Sequence, residues 1–141
     1  MPSERQSDDY LTNLCSLMSI KAIEVRKSLS INVSNAEWEK FEKGTAVNIF
    51  SKDLNPQGVL KNLTIKLMKV QPGGEFPTHV DPYEHFFYLI SGTGEAQLGD
   101  VVHPIEKGQT IIIEAGEKHG YRNTGSKAMY LLTMNIPNTV N

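Results

Sequence analysis

Residues 73–92 read GGEFPTHVDPYEHFFYLISG, and residues 108–123 read GQTIIIEAGEKHGYRN. Both stretches begin at a glycine, and between them they carry four side chains able to bind a transition metal. His79, Asp81 and His85 lie in the first stretch and His119 in the second, so three of the chain's four histidines are used here. The fold and the function both depend on whether these side chains converge.

Short strands and turns surround the two stretches. We predict turns at Asn55-Pro56-Gln57-Gly58 and Pro72-Gly73-Gly74, and a hairpin around Gly99-Asp100. Alternating or continuous apolar patterns predict strands over 46–50, 60–70, 85–91, 95–98, 101–105, 110–113, 120–122 and 129–135. Many short strands at this spacing indicate an all-β sandwich or barrel, and the lack of a helical pattern after Gly44 excludes alternating βαβ units.

One short helix is predicted before the strands. Ser34-Asn35-Ala36-Glu37 has the form of a capping box. Trp38 and Phe41 follow three residues apart on one helical face, and Gly44 supplies a stop. We therefore expect an N-terminal helix over 35–43, attached to the domain by its two aromatic side chains.

The two stretches together resemble the paired motifs of the cupin superfamily. The first motif is usually G-x5-H-x-H-x3,4-E-x6-G and the second G-x5-P-x-G-x2-H-x3-N; the glycines, His79, His119 and Asn123 match at the stated spacing. Asp81 stands where the second histidine is usual, His85 where glutamate is usual, and Glu114 replaces the proline. The resemblance covers roughly 60–136 and implies an all-β double-stranded β-helix, the cupin jelly-roll barrel.

By that match, the metal ligands would be His79, Asp81, His85 and His119. Side-chain parity agrees, because residues two apart on a strand share a face. If the strand resumes in register after the turn, His85 faces inward with His79 and Asp81, and Glu84 faces outward. Imidazole and carboxylate together suit one divalent Fe, Mn, Ni, Co, Cu or Zn ion, with positions left for water, substrate or oxygen.

Other side chains have weaker functional assignments. Tyr121, Tyr83 and Glu84 are the candidate proton-transfer groups, with no clear choice among them. Arg122 is the nearest cation to the second motif and is either an anion-binding group or a surface residue; His103 is expected at the surface. Four apolar residues could form pocket walls or belong to the core: Phe76, Phe87, Leu89 and Ile111.

Composition narrows the class of protein. The 141 residues favour one domain, with residues 1–17 as a flexible extension and 18–141 as the cupin domain. A formal net charge of −2 and the absence of a basic cluster argue against nucleic acid, and no apolar run is long enough to span a membrane. A single cysteine, Cys15, fits a reducing, cytoplasmic compartment, and no secretory signal is seen.

Three functions remain open on the sequence. The first, which the sequence favours, is a metal-dependent oxygenase of the dioxygenase type that activates O₂ beside a bound small-molecule substrate. The second is a metal-dependent isomerase, lyase or epimerase on a sugar or small acid. The third is a non-enzymatic binding barrel. Small cupins commonly pair through their sheets, so the resemblance also implies a homodimer, with the 60–70 strand and the N-terminal segment as candidate contacts.

Overall fold

The computed structural model describes residues 28–137, and within that range the fold is almost entirely β. A single 3₁₀ turn, Pro56–Gly58, interrupts the strands. The nine strands are β1 Glu39–Lys40, β2 Val47–Asp53, β3 Thr64–His79, β4 Glu84–Ser91, β5 Thr93–Leu98, β6 Val101–Glu106, β7 Thr110–Ile113, β8 His119–Asn123 and β9 Met129–Ile136.

The long strand β3 organises the curled sheet. Hydrogen-bonded neighbours follow the order β6-β5-β8-β3-β9-β4-β7, with β2 on β3 and β1 on β2, and β3 is antiparallel to β2, β8 and β9. The first half of β3 pairs with β2 and β9, whereas its last residues pair with β8. One strand therefore takes part in both groups of strands, as expected for the predicted jelly roll.

The predicted turn at Pro72–Gly74 is a bend inside β3 rather than a break between strands. Gly73 has φ +77°, which an L side chain rarely adopts. A Cβ on Gly74 would lie 2.8 Å from Val70 Cγ1 and 2.9 Å from the Asn48 carbonyl oxygen. The two glycines thus let β3 bend between its two partners while its hydrogen bonding continues on both sides.

The predicted helix over 35–43 is wrong. Residues 34–36 form a turn, and Glu39–Lys40 is a short strand that pairs with Phe50 and Ser51. A helix of this length is only marginally stable in water, so pairing with β2 overrides the local pattern. The expected anchoring by aromatic side chains does occur, since Trp38 packs on Tyr130 and Phe41 on Phe76.

Alternate residues of the strands fill the barrel interior. Its buried apolar core includes Ile49, Val70, Leu89, Ile113, Met129 and Leu131. On β4, His85, Phe87 and Leu89 are buried while Glu84 and Tyr88 are exposed, which confirms the predicted parity of this strand. The Gly99-Asp100 hairpin is also confirmed, joining β5 to β6 with Leu98 opposite Val101.

Two predictions from the sequence concern residues outside the described range. The flexible extension, 1–17, and the domain boundary at residue 18 fall outside the described residues. No helix between residues 28 and 137 has the length and apolar character needed to cross a membrane.

Candidate metal centre

Three imidazole rings point at one carboxylate oxygen. Asp81 Oδ2 lies 3.0 Å from His79 Nε2, 2.9 Å from His85 Nε2 and 3.4 Å from His119 Nε2. His79 ends β3 and faces His119, the first residue of β8, in the strand register. Asp81 lies in the loop between β3 and β4, where its carbonyl oxygen accepts a hydrogen bond from Gly116 N. The four side chains predicted to meet are brought together.

The other ring nitrogens fix how these imidazoles are presented. His79 Nδ1 lies 2.8 Å from the Pro77 carbonyl oxygen and His119 Nδ1 2.9 Å from that of Glu117. A carbonyl can only accept, so each Nδ1 carries the proton and a neutral ring then offers the Nε2 lone pair inward. His85 Nδ1 is likewise 2.8 Å from Asn135 Oδ1. Such outer partners orient metal-binding histidines.

Burial keeps the imidazoles in the form that binds a metal. His119 is 2% exposed and His85 5% exposed, and burial lowers the pKa of both below the ordinary value. Burial of Asp81 acts to raise its pKa, but the hydrogen bond from the Lys43 ammonium and its positive charge hold that pKa below its usual value. Near neutral pH the centre therefore presents the neutral rings of His85 and His119 beside an ionised Asp81.

This arrangement fits a bound cation. Nε2 lone pairs and a carboxylate oxygen are all acceptors, and acceptors this close need a proton or metal ion between them. His119 Nε2 is buried without a hydrogen-bond partner among residues 28–137. Ligand atoms of His79, Asp81 and His119 lie within 4.8 Å of one another, so these three are positioned to bind a metal ion.

The centre opens into a cavity of about 280 Å³ inside the barrel. Its apolar lining comes from Phe41, Met68, Phe76, Phe87 and Tyr121, and its polar lining from the metal-centre residues together with Lys43, Thr64, Lys66, Tyr83, Thr133 and Asn135. Apolar side chains together with converging polar groups are characteristic of a small-molecule site. The volume suits a compact ligand.

Lys43 connects the carboxylate to a tyrosine on the cavity wall. Its ammonium donates hydrogen bonds to Asp81 Oδ1 at 3.1 Å and to Tyr83 Oη at 2.9 Å. Burial acts to lower the pKa of Lys43, but these two partners raise it above the ordinary value, so the ammonium stays charged. Tyr83 therefore enters the centre's hydrogen-bond network, which strengthens it among the three proton-transfer candidates.

Comparison with known proteins identifies the fold. The family described as "Cupin domain" matches residues 66–135. The chain belongs to the cupin superfamily. The solved polyketide cyclase RemF from Streptomyces resistomycificus superposes on this cupin with a TM-score of 0.70 at 20% identity, covering 77% of this chain and 79% of RemF. A predicted oxalate decarboxylase from Thermotoga maritima gives 0.68 at 19% identity, covering 78% of this chain and all of the other.

A sequence relative is similar over a shorter stretch. "Protein SchB" from Streptomyces halstedii is 42% identical over 57 residues, which is 40% of this chain. The match spans about two fifths of the length of SchB, 41%.

Two of the residues considered for the site, Glu84 and Arg122, lie outside the cavity. Glu84 is exposed and does not line the cavity. Arg122 is exposed and pairs with Glu95 at 2.6 Å, so the surface interpretation of Arg122 holds; His103 is exposed, as expected. Tyr121 does line the cavity, and burial strongly raises its pKa.

Of the four apolar residues considered for the pocket walls, two line the cavity and two do not. Phe76 and Phe87 line the cavity. Leu89 and Ile111 belong to the core only. Asn123 fills a structural role, since its amide donates to the Val70 and Lys127 carbonyls and its oxygen accepts from Gly125 N.

The sequence did not point to five polar residues that line the cavity: Lys43, Thr64, Lys66, Thr133 and Asn135. Four of them come from the paired strands β3 and β9, where Thr64 lies opposite Asn135 and Lys66 opposite Thr133. On β3, the even-numbered face includes buried Met68 and Val70 as well as Thr64 and Lys66. That continuity was the available signal that Lys66 faces inward.

Proposed function

We propose that this cupin is a metal-dependent enzyme that polarises a carbonyl group of a small enolisable substrate. The observation that carries the proposal is the convergence of three Nε2 atoms and Asp81 Oδ2 at the wall of a ligand-sized cavity. The Lys43–Tyr83 pair beside them adds a proton donor, and it favours Tyr83 among the three proton-transfer candidates of the sequence.

The proposed ligands of one divalent transition metal are His79, Asp81, His85 and His119. A metal so held would act as a Lewis acid on a carbonyl oxygen and leave coordination positions open for substrate. The ligand types are compatible with Fe, Mn, Ni, Co, Cu or Zn. Asp81 reaches the centre in spite of its short side chain, because Oδ2 approaches all three rings.

Tyr83 is the proposed proton donor to the substrate. Its oxygen accepts a hydrogen bond from the Lys43 ammonium, which leaves its own O–H free to donate into the cavity. Because the same ammonium also contacts Asp81 Oδ1, the Tyr83 oxygen lies at most about 6 Å from that carboxylate oxygen. A donor placed there stabilises negative charge as it develops on an enolate oxygen.

For the substrate class we propose a chain with several ketone groups. RemF is called a polyketide cyclase, and its fold covers most of this chain. The aromatic and methionine lining would contact the carbon chain, and the polar groups its oxygens. A proton passes from the carbon between two carbonyls to solvent and leaves an enolate; that carbon bonds to a further carbonyl carbon and closes the ring. The oxygen of that carbonyl takes a proton from Tyr83, which regains one from solvent, and loss of water then forms the double bond.

The test separates enolisation from oxidation. The metal-loaded protein is incubated with heptane-2,4,6-trione in D₂O under strict exclusion of O₂, and deuterium uptake at the methylene carbons is followed by NMR. Exchange well above that of the metal-free protein is the expected result. Exchange equal to that of the metal-free protein would overturn the proposal.

An oxygenase is the second candidate, favoured by the mixed nitrogen and oxygen ligands, which also suit oxygen-activating iron. O₂ uptake that depends on metal and on a diketone or phenol, with no anaerobic exchange, would select it. Metal-independent binding of such compounds without turnover would instead select the third function, a binding barrel.

We also propose that the cupin forms a homodimer. The outer faces of β4, β7, β9 and the first half of β3 carry an apolar surface that includes Ile65, Leu67, Phe86, Tyr88, Ile90, Ile112, Leu132 and Met134. Ile112 is 69% exposed. A large apolar surface is typical of a protein interface. The cytoplasmic location inferred from Cys15 stays a prediction.

A further inference from the structure

Lys66 is a charged side chain on the inward face of β3. Its strand neighbours on that face are Thr64 and Met68, and all three line the cavity. The register places Lys66 opposite Thr133 on β9 and Asp53 on β2. A lysine is rarely turned toward a barrel interior, because its ammonium must give up water or find a partner there.

No carboxylate among residues 28–137 forms an ion pair with Lys66. Asp53, its neighbour in the register, accepts a hydrogen bond from Asn55 N instead. The described contact of the Lys66 ammonium is with the face of the Phe41 ring, 5.4 Å from the ring centroid. Lys43, the other ammonium of the cavity lining, is already held by Asp81 and Tyr83. Of the two lysines that line the cavity, Lys66 is therefore the one whose ammonium is available to a ligand.

The position of Lys66 suits a second anchor for a molecule bound at the metal centre. Lys66 and Phe87 share one row across the sheet through Thr133, and His85 lies in the adjacent row with Asn135. Adjacent inward rows are about 7 Å apart and neighbouring strands about 5 Å. A six- to eight-carbon chain could contact both ends of the cavity.

We propose that Lys66 binds an anionic group, a carboxylate or an enolate, at the end of the substrate remote from the metal centre. A divalent ion and two ammonium groups would face one carboxylate, Asp81, in the cavity, which favours a negatively charged ligand. A charge-assisted hydrogen bond from Lys66 would fix the orientation of the chain. This inference rests on the proposed function for the metal as the first anchor.

The test compares two probes that differ in one charge. Binding of 3,5-dioxohexanoate and of its methyl ester is measured by calorimetry, in the metal-loaded and the metal-free protein. We expect the acid to bind at least about tenfold more tightly than the ester, the size of a charge-assisted contact. Lys66→Met should bring the two affinities together without weakening the ester, and Lys66→Arg should keep the preference.

The matched control is Lys69→Met, the same change on the same strand but on the opposite face. It should leave the preference for the acid unchanged. Equal affinities of acid and ester in the wild-type protein, no binding of the acid, or a preference that survives Lys66→Met would each overturn the role of Lys66. Metal dependence of ester binding reports separately on the proposed function, so the two can fail independently.

Discussion

Asn135 Oδ1 lies 2.8 Å from Nδ1 of His85 and comes from β9, the strand that pairs with β4 residue by residue at this point. The amide thereby sets the orientation of a ring whose Nε2 is 2.9 Å from Asp81 Oδ2. Metal affinity should therefore depend on a residue that is not itself a ligand.

Replacement of Asn135 by Ala should weaken metal binding by about ten- to a hundredfold, because His85 loses the partner that orients it. Affinity can be measured by competition with a coloured chelator. Asn135→Asp retains an acceptor at the same place and should lose much less. Equal affinities for Asn135→Ala and the wild-type protein would contradict this role.

Replacement of His119 by Ala should reduce metal affinity by more than about tenfold, since it removes the ligand supplied by β8. Asp81→Asn should also weaken binding, because the carboxylate is buried and touches all three rings. Elemental analysis after dialysis gives the occupancy. His103→Ala, on the exposed face of β6, is the control and should retain full occupancy. Unchanged metal content in the His119 variant would be fatal to the ligand assignment.

Replacement of Tyr83 by Phe should lower the rate of metal-dependent deuterium exchange by about a hundredfold, the usual cost of a donor to a developing oxyanion. Metal content should not change. Tyr88→Phe removes a hydroxyl from the same strand region on the exposed outer face and should have no effect. Tyr83 would lose its proposed role if both variants exchanged at the wild-type rate.

The metal-free cupin should lose stability as the pH falls below about 6.5. The pKa values of His85 and His119 are lowered in the folded state, so the unfolded chain takes up these protons at higher pH. Protonation of the unfolded chain therefore favours unfolding as the pH decreases from about 6.5 toward the lower folded pKa values. Melting temperatures between pH 8 and 5 test this, and a melting temperature that rises on acidification would contradict it.

The proposed homodimer predicts that Ile112→Glu makes the protein monomeric, because it places a charge in the most exposed apolar side chain of the outer face. Light scattering after size exclusion gives the mass. Val101→Glu changes an exposed valine of β6, a strand outside this apolar surface, and should leave the dimer intact. A wild-type protein that is already monomeric at working concentration would remove the idea.

The all-β fold and the convergence of the four candidate ligands could be predicted because parity and glycine spacing are local properties. The prediction of His79 and His85, which lie on either side of the loop between β3 and β4, rested on the motif spacing and on the alternation of β4; His119 needed only its place in the second motif. The helix over 35–43 failed because pairing of Lys40 with Phe50 is a tertiary contact that a local pattern cannot show.

The polar lining could not be predicted for a related reason. Lys43 reaches Asp81 across 38 residues, and Asn135 reaches His85 across 50. These contacts depend on which strands become neighbours, and neither the β4 nor the β9 sequence indicates that the two strands pair. Lys66 is harder still to place, since both faces of β3 carry apolar residues and the face of Lys66 begins with a second polar residue, Thr64.

Both faces of β9, like both faces of β3, carry apolar residues, and this affects how the strands align. A slip of β9 by a single residue against β3 or β4 would turn Asn135 and Thr133 outward and bring Met134 and Leu132 inside, at little hydrophobic cost. Alternation alone therefore cannot select the correct alignment. The bend at Gly73 and Gly74, the irregularity after Leu89 and the polar contacts of the candidate metal centre remain to fix the alignment. A metal bound by the proposed ligands would therefore also hold the strands in register, and its removal should loosen them.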